Sequence, residues 1–416
     1  MADVQPFQAL HYDLARTGGL QAVAAPPYDV IDAAQRQELV RRSPYNVVEV
    51  DLPSNGGDPY AHAADVLREW TAGGIVVRDD QPALWALAQA YTGPDGRERT
   101  RHGIFARVKV EDYGPGRIRP HERTHPGPKE DRLRLTRATK ANLSPIFSLY
   151  DDPAGAAWGA VAPHTEAAPW GEVTEADGTV HRLWRVTDPA AIAAVHDALA
   201  PAELLIADGH HRYETARVFA QEPRAPAGAD HVLMCLVALQ DPGLTVFPTH
   251  RLVLGLDEAK KAALRAALER DWIAEPTDEL EPEPSDRVRI GYYDGTARML
   301  TLRDPAIADR ALPGKPEPYR RLDTAVLEAL VLQGALGMTE DDISHLDGLG
   351  YARTVEEAKQ RVDAGEADAA FFMAPTPVER VRDVAAAGEN MPPKSTYFYP
   401  KVLTGMVFNP LEERWP

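Results

Sequence analysis

One stretch of the sequence limits the fold more than any other. Residues 204–207 (Leu-Leu-Ile-Ala) are apolar, Asp208 and Gly209 follow at once, and Tyr213 and Ala216 then recur at helical spacing. A short apolar run that ends at a glycine and continues with helical periodicity is typical of a buried strand joined to a helix by a tight turn. We therefore expect a mixed α/β protein in which this turn lies at the end of a core strand.

The same turn carries side chains that suit an anion. Backbone N–H groups at the start of a helix point forward with the positive end of the helix dipole. His210, His211 and Arg212 add donors there, and an arginine can hold a phosphate through two parallel hydrogen bonds. We predict that Gly209 and these three residues bind phosphate. An ordinary helix start with surface histidines is the alternative, and one histidine could instead be a metal ligand.

A basic segment adds to this prediction. Residues 117–140 contain eight Lys/Arg and three Asp/Glu, a local charge of +5 in a chain whose formal charge is −18. A local charge opposite to the global one indicates a focused anionic ligand rather than a broad polyanion surface. We predict that Arg123, Lys129 and Arg132 of this segment contact phosphate. A solvated helix face with salt bridges is the alternative.

Glu122 lies in the middle of this basic segment, beside His121. A carboxylate surrounded by cations stays ionised, so it can accept a proton from a hydroxyl or hold Mg²⁺. We predict Glu122, with His121 beside it, as catalytic residues. An ion pair between Glu122 and an arginine is the structural alternative, and Asp131 could take the same catalytic roles.

A third cluster lies near the end of the chain, in residues 391–401. Lys394, Ser395 and Thr396 offer one cation and two hydroxyls between a Pro-Pro turn and an aromatic strand. We predict that these three residues contact an anionic substrate. The competing interpretation is that the aromatic residues of this segment simply pack into a core.

The composition excludes several classes of protein. The single cysteine, Cys235, lies in an apolar run, which excludes an intramolecular disulfide and indicates a buried thiol in a reducing cytoplasm. The sequence has neither an uncharged apolar stretch of 18 residues nor a signal-peptide pattern, so we expect no membrane association. A charge of −18 argues against nucleic acid as a partner.

Changes in pattern along the chain suggest three regions. Residues 1–75 are predicted to form a turn-strand-helix region, 76–240 a core, and 241–416 an α/β region that packs on the core. The segment 151–185 is expected to hold a loop and an edge hairpin, and residues 323–336 a helix.

Six blocks of the sequence, in order, resemble the DUF1015 family, a large prokaryotic family catalogued as a domain of unknown function. The blocks are Ala25-Pro-Pro-Tyr-Asp-Val-Ile31, Arg42-Ser-Pro-Tyr-Asn46, His121-Glu-Arg-Thr124, Ala141-Asn-Leu-Ser-Pro-Ile-Phe147, Asp208-Gly-His-His-Arg-Tyr-Glu-Thr-Ala216 and Met391-Pro-Pro-Lys-Ser-Thr-Tyr-Phe398.

A more distant resemblance is to the free serine kinases, which share the ParB-type nucleotide-binding fold. It rests on Pro120-His-Glu122 and on the strand–Asp-Gly-His-His-Arg–helix sequence. The resemblance implies that His210, His211 and Arg212 contact nucleotide phosphates, that Glu122 is the base for a serine hydroxyl, and that Asp208 assists Mg²⁺. It also implies that residues 76–240 form a ParB-like nucleotide-binding core, elaborated here by N- and C-terminal αβ regions.

Two functions follow from the residue motifs together with the resemblance to the free serine kinases, and a third stays open. The first is a small-molecule phosphotransferase, a kinase that uses ATP or ADP with Mg²⁺ to convert free L-serine to O-phosphoserine. The second is a ParB-like nucleotide-binding regulatory protein without turnover. The third is a metal-dependent hydrolase that uses His210 or His211. The phosphate donor, the exact acceptor and the oligomeric state stay open.

Overall fold

The structure is a computed structural model that describes residues 2–54, 57–93, 96–122 and 126–413. Contacts divide the chain into two compact units. The first contains most of residues 1–244 together with the C-terminal segment from Pro400, and the second contains His121, Glu122 and Thr245–Tyr399. Strands and α-helices alternate in both units, so the predicted mixed α/β class is confirmed.

The strands are short to medium in length. They are β1 (Val4–Gln5), β2 (Leu10–Tyr12), β3 (Val76–Arg78), β4 (Leu84–Thr92), β5 (Glu98–Lys109), β6 (Ile118–Arg119), β7 (Ala141–Asn142), β8 (Ile146–Tyr150), β9 (Gly171–Thr174), β10 (Val180–Val186), β11 (Leu204–Asp208), β12 (His231–Ala238), β13 (Thr245–Phe247), β14 (His250–Val253), β15 (Trp272–Pro276), β16 (Arg289–Tyr293), β17 (Ala297–Leu302), β18 (Leu349–Ala352), β19 (Ala369–Phe372), β20 (Tyr397–Tyr399) and β21 (Asn409–Pro410).

The α-helices lie between them. They are α1 (Leu14–Thr17), α2 (Leu20–Val23), α3 (Ala33–Arg42), α4 (Val48–Asp51), α5 (Pro59–Ala72), α6 (Pro126–Thr139), α7 (Ala156–Val161), α8 (Pro189–Leu199), α9 (His210–Ala220), α10 (Glu258–Asp271), α11 (Pro305–Ala311), α12 (Glu317–Arg320), α13 (Asp323–Leu327), α14 (Glu340–His345), α15 (Val355–Asp363) and α16 (Val378–Ala386). Three 3₁₀ turns (Tyr28–Val30, Ala162–Thr165 and Ala227–Asp230) and a π-helical turn (Glu328–Gln333) complete the set.

A nine-stranded sheet forms the centre of the first unit. Eight strands run in the order β6-β11-β8-β12-β5-β4-β10-β9, and β1 pairs with β5. Most pairs are antiparallel, whereas β12 runs parallel to β8 and β11 parallel to β6. Alternate residues of the strands face α7, α8 and α9 and form one hydrophobic core with them. The strand that leads into the candidate turn, β11, is thus fixed between two neighbours.

The second unit has a six-stranded sheet of its own, in the order β15-β17-β16-β19-β14-β18. Its main core is formed by side chains of this sheet, of α10, α11 and α14, and of the segment 326–338. A separate two-stranded sheet pairs β13 with β20 in antiparallel register. This pairing joins the first and last strands of the unit, and the segment 391–396 precedes β20.

The segment 151–185 contains one predicted element and one that was not predicted. The edge hairpin expected within 151–185 is β9–β10, and β9 is the last strand of the sheet. The helix α7 in the same segment was not expected. It begins where the Asp152 carboxylate accepts hydrogen bonds from the backbone N–H groups of Ala156 (3.0 Å) and Ala157 (2.9 Å). An Ala- and Gly-rich composition hides this helix because it provides few large residues with helical periodicity.

The predicted helix 323–336 is only partly correct. An α-helix covers Asp323–Leu327, and the chain then continues as a π-helical turn over Glu328–Gln333. Such turns are rare and insert one extra residue into a helix, which apolar periodicity over a short window does not reveal.

Two further expectations concern Cys235 and the membrane. Cys235 is fully buried in β12, where it pairs with Phe105 of β5, and a Cβ added at Gly103 would lie 2.8 Å from its sulfur. Burial raises the pKa of the Cys235 thiol to about 12, so the prediction of a buried thiol is confirmed. Across the described residues, no helix combines the length and the apolar character needed to cross a membrane.

The three regions predicted from the sequence (1–75, 76–240 and 241–416) stay a prediction. These regions rest on changes in sequence pattern, whereas the two units rest on contacts between residues. On contacts, the residues up to 120 and most of 124–244 belong together, and so does the C-terminal segment from Pro400.

Gly291 provides a test of the second unit's packing. A Cβ at this position of β16 would lie 1.8 Å from the Leu280 carbonyl oxygen and 3.0 Å from Phe372 Cβ. We expect Gly291→Ala to lower the free energy of unfolding by about 1–3 kcal/mol, because the backbone at Leu280 must move. Urea denaturation measures this change.

The control is Gly159→Ala in α7, where a Cβ would meet nothing within 4 Å. This substitution should leave stability unchanged or raise it by roughly 0.5–1 kcal/mol, since alanine favours a helix over glycine. A Gly291→Ala protein as stable as the wild type would contradict the packing described.

Candidate functional site

The predicted turn between strand and helix is present. The pairing of β11 with β8 is irregular between Ile206 and Asp208, Gly209 follows with φ 96° and ψ 28°, and α9 begins at His210. This left-handed conformation is one that glycine adopts at low cost. A Cβ on Gly209 would also lie 3.1 Å from the Arg212 guanidinium, so glycine allows Arg212 to fold back over the turn.

The carboxylate of Asp208 lies between two cations. Its Oδ1 is 2.6 Å from Lys401 Nζ, and its Oδ2 is 2.6 Å from Arg212 Nη2. Burial by itself would raise the pKa of Asp208, but the ammonium of Lys401 and the guanidinium of Arg212 lower it well below its usual value. Asp208 is therefore ionised, and it neutralises part of the charge that was predicted to attract phosphate.

Arg212 makes further contacts in the interior. Its Nη1 donates to the carbonyl oxygen of Pro145, and only about 10% of its side chain is exposed. Burial by itself would lower the pKa of Arg212, but Asp208, Asp29, Tyr28 and Asp51 raise it. The guanidinium is thus held charged in one orientation at the start of α9.

A pocket lies beside this guanidinium. Its lining includes Arg212, Arg132, Asp51, Ser144 and Thr215. Arg132 Nη1 lies 3.3 Å from Asp51 Oδ1, and Ser144 donates to Asp51 Oδ2 at 3.0 Å. Burial raises the pKa of Asp51, while Arg132 and Ser144 oppose this rise. The pocket combines two buried guanidinium groups with one buried carboxyl group.

The N-terminal motif contributes to the same region. The guanidinium of Arg132 lies over the Tyr28 ring, 4.0 Å from its centroid. Asn46, from the next block, donates to the carbonyl oxygens of Ala22 (3.0 Å) and Ala24 (3.3 Å). Tyr28 therefore borders the candidate site, whereas Asn46 fixes the backbone that leads to it.

Lys401 was not among the predicted site residues, although it ends the third cluster. The backbone on either side of it is held by two buried side chains of the central sheet. Gln89 of β4 donates to the Lys401 carbonyl oxygen at 3.0 Å, and Arg101 of β5 donates to the carbonyl oxygen of Pro400. Arg101 also donates to Gln89 Oε1 at 3.0 Å. These contacts place the Lys401 ammonium at Asp208.

Arg101 is unusual because it is fully buried and, among the described residues, forms no ion pair within 4 Å. Its Nη1 has no hydrogen-bond partner in the part of the chain that the structure describes, and its guanidinium lies over the Phe147 ring at 4.4 Å. Burial lowers the pKa of Arg101 to about 10, and charges such as Asp241 and Asp208 oppose this change. The sequence pattern does not indicate a buried arginine at position 101, because β5 has the pattern of an ordinary strand.

The remaining predicted residues of the turn and the basic segment lie in the first unit. His210 is buried and helps to lower the pKa of Asp208, while His211 is half-buried. The Lys129 carbonyl oxygen accepts a hydrogen bond from Thr215 of α9 at 3.3 Å. Arg123 lies outside the described residues. Lys129 and the two histidines thus lie near or on α9, and that their side chains converge on one ligand stays a prediction.

Three of the eight Lys/Arg in the basic segment 117–140 are paired with acidic residues. Arg119 contacts Glu203 (3.1 Å), Arg132 contacts Asp131 (2.6 Å) and Arg137 contacts Glu222 (2.7 Å). These ion pairs agree with the alternative of a salt-bridged helix face for part of the segment. Arg132 forms such an ion pair and also lines the pocket beside Arg212.

His121 and Glu122 belong to the second unit, with residues 391–398. Glu122 Oε1 accepts a hydrogen bond from the Lys394 backbone N–H at 2.8 Å. His121 is buried, and its Nε2 lies 2.8 Å from Thr396 Oγ1. Two blocks that are about 270 residues apart in the sequence therefore contact each other, and the alternative ion pair of Glu122 with an arginine is absent among the described residues.

The other residues of the third cluster have different surroundings. Lys394 is exposed and has φ 57°, a strained conformation for a residue with a side chain. Ser395 is buried, and its hydroxyl lies 2.7 Å from the Pro392 carbonyl oxygen and 3.1 Å from Thr324 Oγ1. Arg251, which the sequence did not single out, donates to the Pro393 carbonyl oxygen at 3.1 Å. Contacts from three sides thus fix the shape of this loop.

The predicted residues therefore fall into two groups. Residues 208–212, Lys129 and Arg132 lie in the first unit, and His121, Glu122 and 394–396 lie in the second. That both groups act on one substrate stays a prediction. Among the described residues, no three His, Cys, Asp or Glu side chains are grouped so that they could hold a metal ion. Both oxygens of Asp208 already accept from cations, so the residues at the turn do not by themselves form a Mg²⁺ site.

The ion pairs of Asp208 predict how stability depends on pH. A carboxyl group whose pKa is lowered by folding stabilises the fold above its unfolded-state pKa of about 4, and this stabilisation is lost as the pH falls through the lowered value. We expect Asp208→Asn to lower the free energy of unfolding at pH 7 by roughly 1–3 kcal/mol. The difference from wild type should shrink as the pH is lowered below about 4.

Urea denaturation at pH 7, 5 and 3 measures this dependence. The control is Asp197→Asn, which changes an exposed carboxylate of the same unit and should alter stability by less than about 0.5 kcal/mol. An Asp208→Asn difference that is equally large at pH 3 and pH 7 would show that the ion pairs do not stabilise the fold.

Comparisons with known proteins complete the description. No curated protein matches the chain. Among solved structures, it is similar to a conserved hypothetical protein from Pyrococcus furiosus, with 14% identity, a TM-score of 0.37, and coverage of 71% of this chain and 90% of that chain. It is also similar to a free serine kinase mutant in complex with ADP, with 12% identity, a TM-score of 0.39, and coverage of 71% and 87%.

A third similar structure is SbnI with a C-terminal truncation from Staphylococcus aureus, with 12% identity, a TM-score of 0.38, and coverage of 74% of this chain and 87% of that chain. At these TM-scores the structural likeness does not assign an activity. The family model described as "Protein of unknown function (DUF1015)" matches residues 4–325, which is most of the chain. The protein therefore belongs to the DUF1015 family.

Proposed function

We propose that the protein is a small-molecule phosphotransferase, most concretely a kinase that transfers a phosphoryl group from ATP or ADP to free L-serine. The observation that carries the proposal is the buried, charged Arg212 folded over Gly209 at the start of α9. A cation fixed in this position, at the positive end of a helix dipole, suits an anionic group such as a phosphate.

Further cations support a nucleotide rather than a single phosphate. Arg132 lines the same pocket as Arg212, and Lys401 lies on the other side of Asp208. Phosphoryl transfer needs charge neutralisation and alignment more than covalent help from the protein. In this proposal Arg212 and Arg132 hold phosphate oxygens, and Asp208 keeps Arg212 and Lys401 in place. Any Mg²⁺ would arrive bound to the nucleotide phosphates.

Glu122 is the proposed general base. Its Oε1 is oriented by the Lys394 backbone N–H at 2.8 Å, and among the described residues its Oε2 has no hydrogen-bond partner. A carboxylate fixed through one oxygen can receive a proton through the other. His121 orients the same loop through Thr396, which makes it a positioning residue in this proposal.

The proposed reaction balances without an added oxidant or reductant. The serine hydroxyl oxygen forms a bond to the terminal phosphorus of the nucleotide, and its proton moves to the Glu122 carboxylate. The bond between that phosphorus and the bridging oxygen breaks, which releases ADP from ATP or AMP from ADP. The ammonium of Lys394 is exposed and, among the described residues, has no acidic partner, so we assign it to the serine carboxylate.

A regulatory protein that binds nucleotide without turnover is the second candidate. One observation favours it: Asp208 already neutralises Arg212 and Lys401, so these cations have partners when no nucleotide is bound. A phosphate that competes with Asp208 for Arg212 would alter the turn, which suits a switch as well as an enzyme.

The two candidates differ in a direct measurement. Phosphorus NMR of the purified full chain with L-serine, Mg²⁺ and ATP or ADP should show the O-phosphoserine resonance growing with time. Nucleotide binding without any phosphoserine from either donor would end the kinase proposal and favour the regulatory protein. Absence of nucleotide binding would contradict both.

The role of Glu122 can be tested by Glu122→Gln. This change keeps the shape of the side chain and its contact with the Lys394 N–H but removes its ability to take a proton. We expect the turnover rate to fall by about 10²–10⁴-fold while the nucleotide dissociation constant stays nearly unchanged. The matched control is Glu130→Gln, an exposed glutamate of the basic segment, which should retain full activity. Full activity of Glu122→Gln would assign the base to another residue.

A further inference from the structure

The second unit contains a pocket lined by arginine side chains. Three segments form it, residues 283–289, 321–323 and 374–380. Four arginines and two acidic residues line it, which gives a local charge of +2. Residues 245–399 carry 19 Lys/Arg and 28 Asp/Glu, a charge of −9, so the pocket has the opposite sign to its surroundings. Such a local reversal indicates a site for an anion.

Two of the four arginines have no acidic partner. Among the described residues, neither Arg287 nor Arg289 has a carboxylate oxygen within 4 Å of its guanidinium. Arg321, by contrast, is paired with Asp309 (2.8 Å) and with Glu317 (3.4 Å). The positive charge of Arg287 and Arg289 is therefore available to a ligand.

Arg380 is the third cation and is held in position by backbone groups. Its Nη2 donates to the Ser285 carbonyl oxygen at 2.6 Å, and its Nη1 donates to the Arg321 carbonyl oxygen at 3.5 Å. Among the described residues, the one acidic side chain within 4 Å of its guanidinium is Asp286, which is fully exposed and 3.8 Å away. A guanidinium fixed by two carbonyl oxygens still carries its full charge and has donors left for a ligand.

The backbone around the pocket is also fixed. The Asp323 carboxylate accepts hydrogen bonds from the N–H groups of Thr324 (2.7 Å) and Ala374 (3.0 Å), which ties two of the three segments together. Buried Val288 and Leu322 and the rings of prolines contribute apolar surface to the lining. Apolar walls exclude water and strengthen the attraction between a guanidinium and an anion.

We propose that this pocket binds a small phosphate-bearing anion through Arg287, Arg289 and Arg380. The planar guanidinium group matches two oxygens of a phosphate at once. A phosphate dianion balances the local charge of +2, whereas a single carboxylate would leave the pocket with excess positive charge. The site is independent of the proposed kinase activity, because none of these three residues takes part in that proposal.

Calorimetric titration of the full chain with inorganic phosphate tests the site. Arg287→Gln/Arg289→Gln removes two positive charges while keeping side chains of similar polarity. We expect this variant to bind inorganic phosphate at the site at least about tenfold more weakly than the wild type. The matched control is Arg265→Gln/Arg310→Gln, which removes the same charge from two exposed arginines of the unit that lie outside the pocket lining. The control should bind like the wild type.

Each other outcome overturns the proposal. Unchanged binding by the pocket variant would show that phosphate binds elsewhere. Equal weakening in the control would show that net charge, not the pocket, attracts the anion. Acetate that binds as tightly as phosphate would contradict the ligand class. Arg287 is exposed, so Arg287→Gln alone, expected to weaken binding about threefold, serves as the test if the double variant does not fold.

Discussion

The contact on which the first unit most depends is the one between Asp208, Arg212 and Lys401. One carboxylate accepts from both cations at 2.6 Å, so it joins the end of β11, the first turn of α9 and the C-terminal segment. Because all three groups are largely buried, none of them can lose its partner without leaving an uncompensated charge. This is why the turn can hold an arginine folded over a glycine, which is otherwise a costly arrangement.

Lys401 reaches Asp208 only because the interior of the central sheet is polar at one place. Arg101 and Gln89 lie on neighbouring strands and donate to the carbonyl oxygens of Pro400 and Lys401. A buried arginine without an acidic partner costs stability through desolvation. The lowered pKa of Arg101 reflects that cost, and its contacts with Gln89, Pro400 and the Phe147 ring offset part of it. Burial of Arg101 thus lowers the stability of the sheet, while its contacts fix the position of Lys401.

In the second unit, contacts from distant residues fix the conformation of one loop. Residues 391–396 have almost no regular structure, yet Glu122, His121 and Arg251 each bind a different point on this loop. Lys394 has a strained backbone conformation in this loop, and its N–H donates to the Glu122 carboxylate and orients it. Strain of this kind is maintained only where the surroundings determine the conformation, and it is frequent at functional sites. The proposed base is consequently oriented by backbone rather than by a mobile side chain.

The sequence by itself determined the local elements: the strand 204–208, the glycine turn, the helix that follows and the hairpin β9–β10. Apolar periodicity and turn residues report on neighbours within a few positions, so these features could be predicted. The partners of the charged residues could not. Lys401 lies 193 residues from Asp208, and Lys394 lies 272 residues from Glu122. Which cation meets which carboxylate is decided by how strands pair and loops return, and only the tertiary structure contains that information.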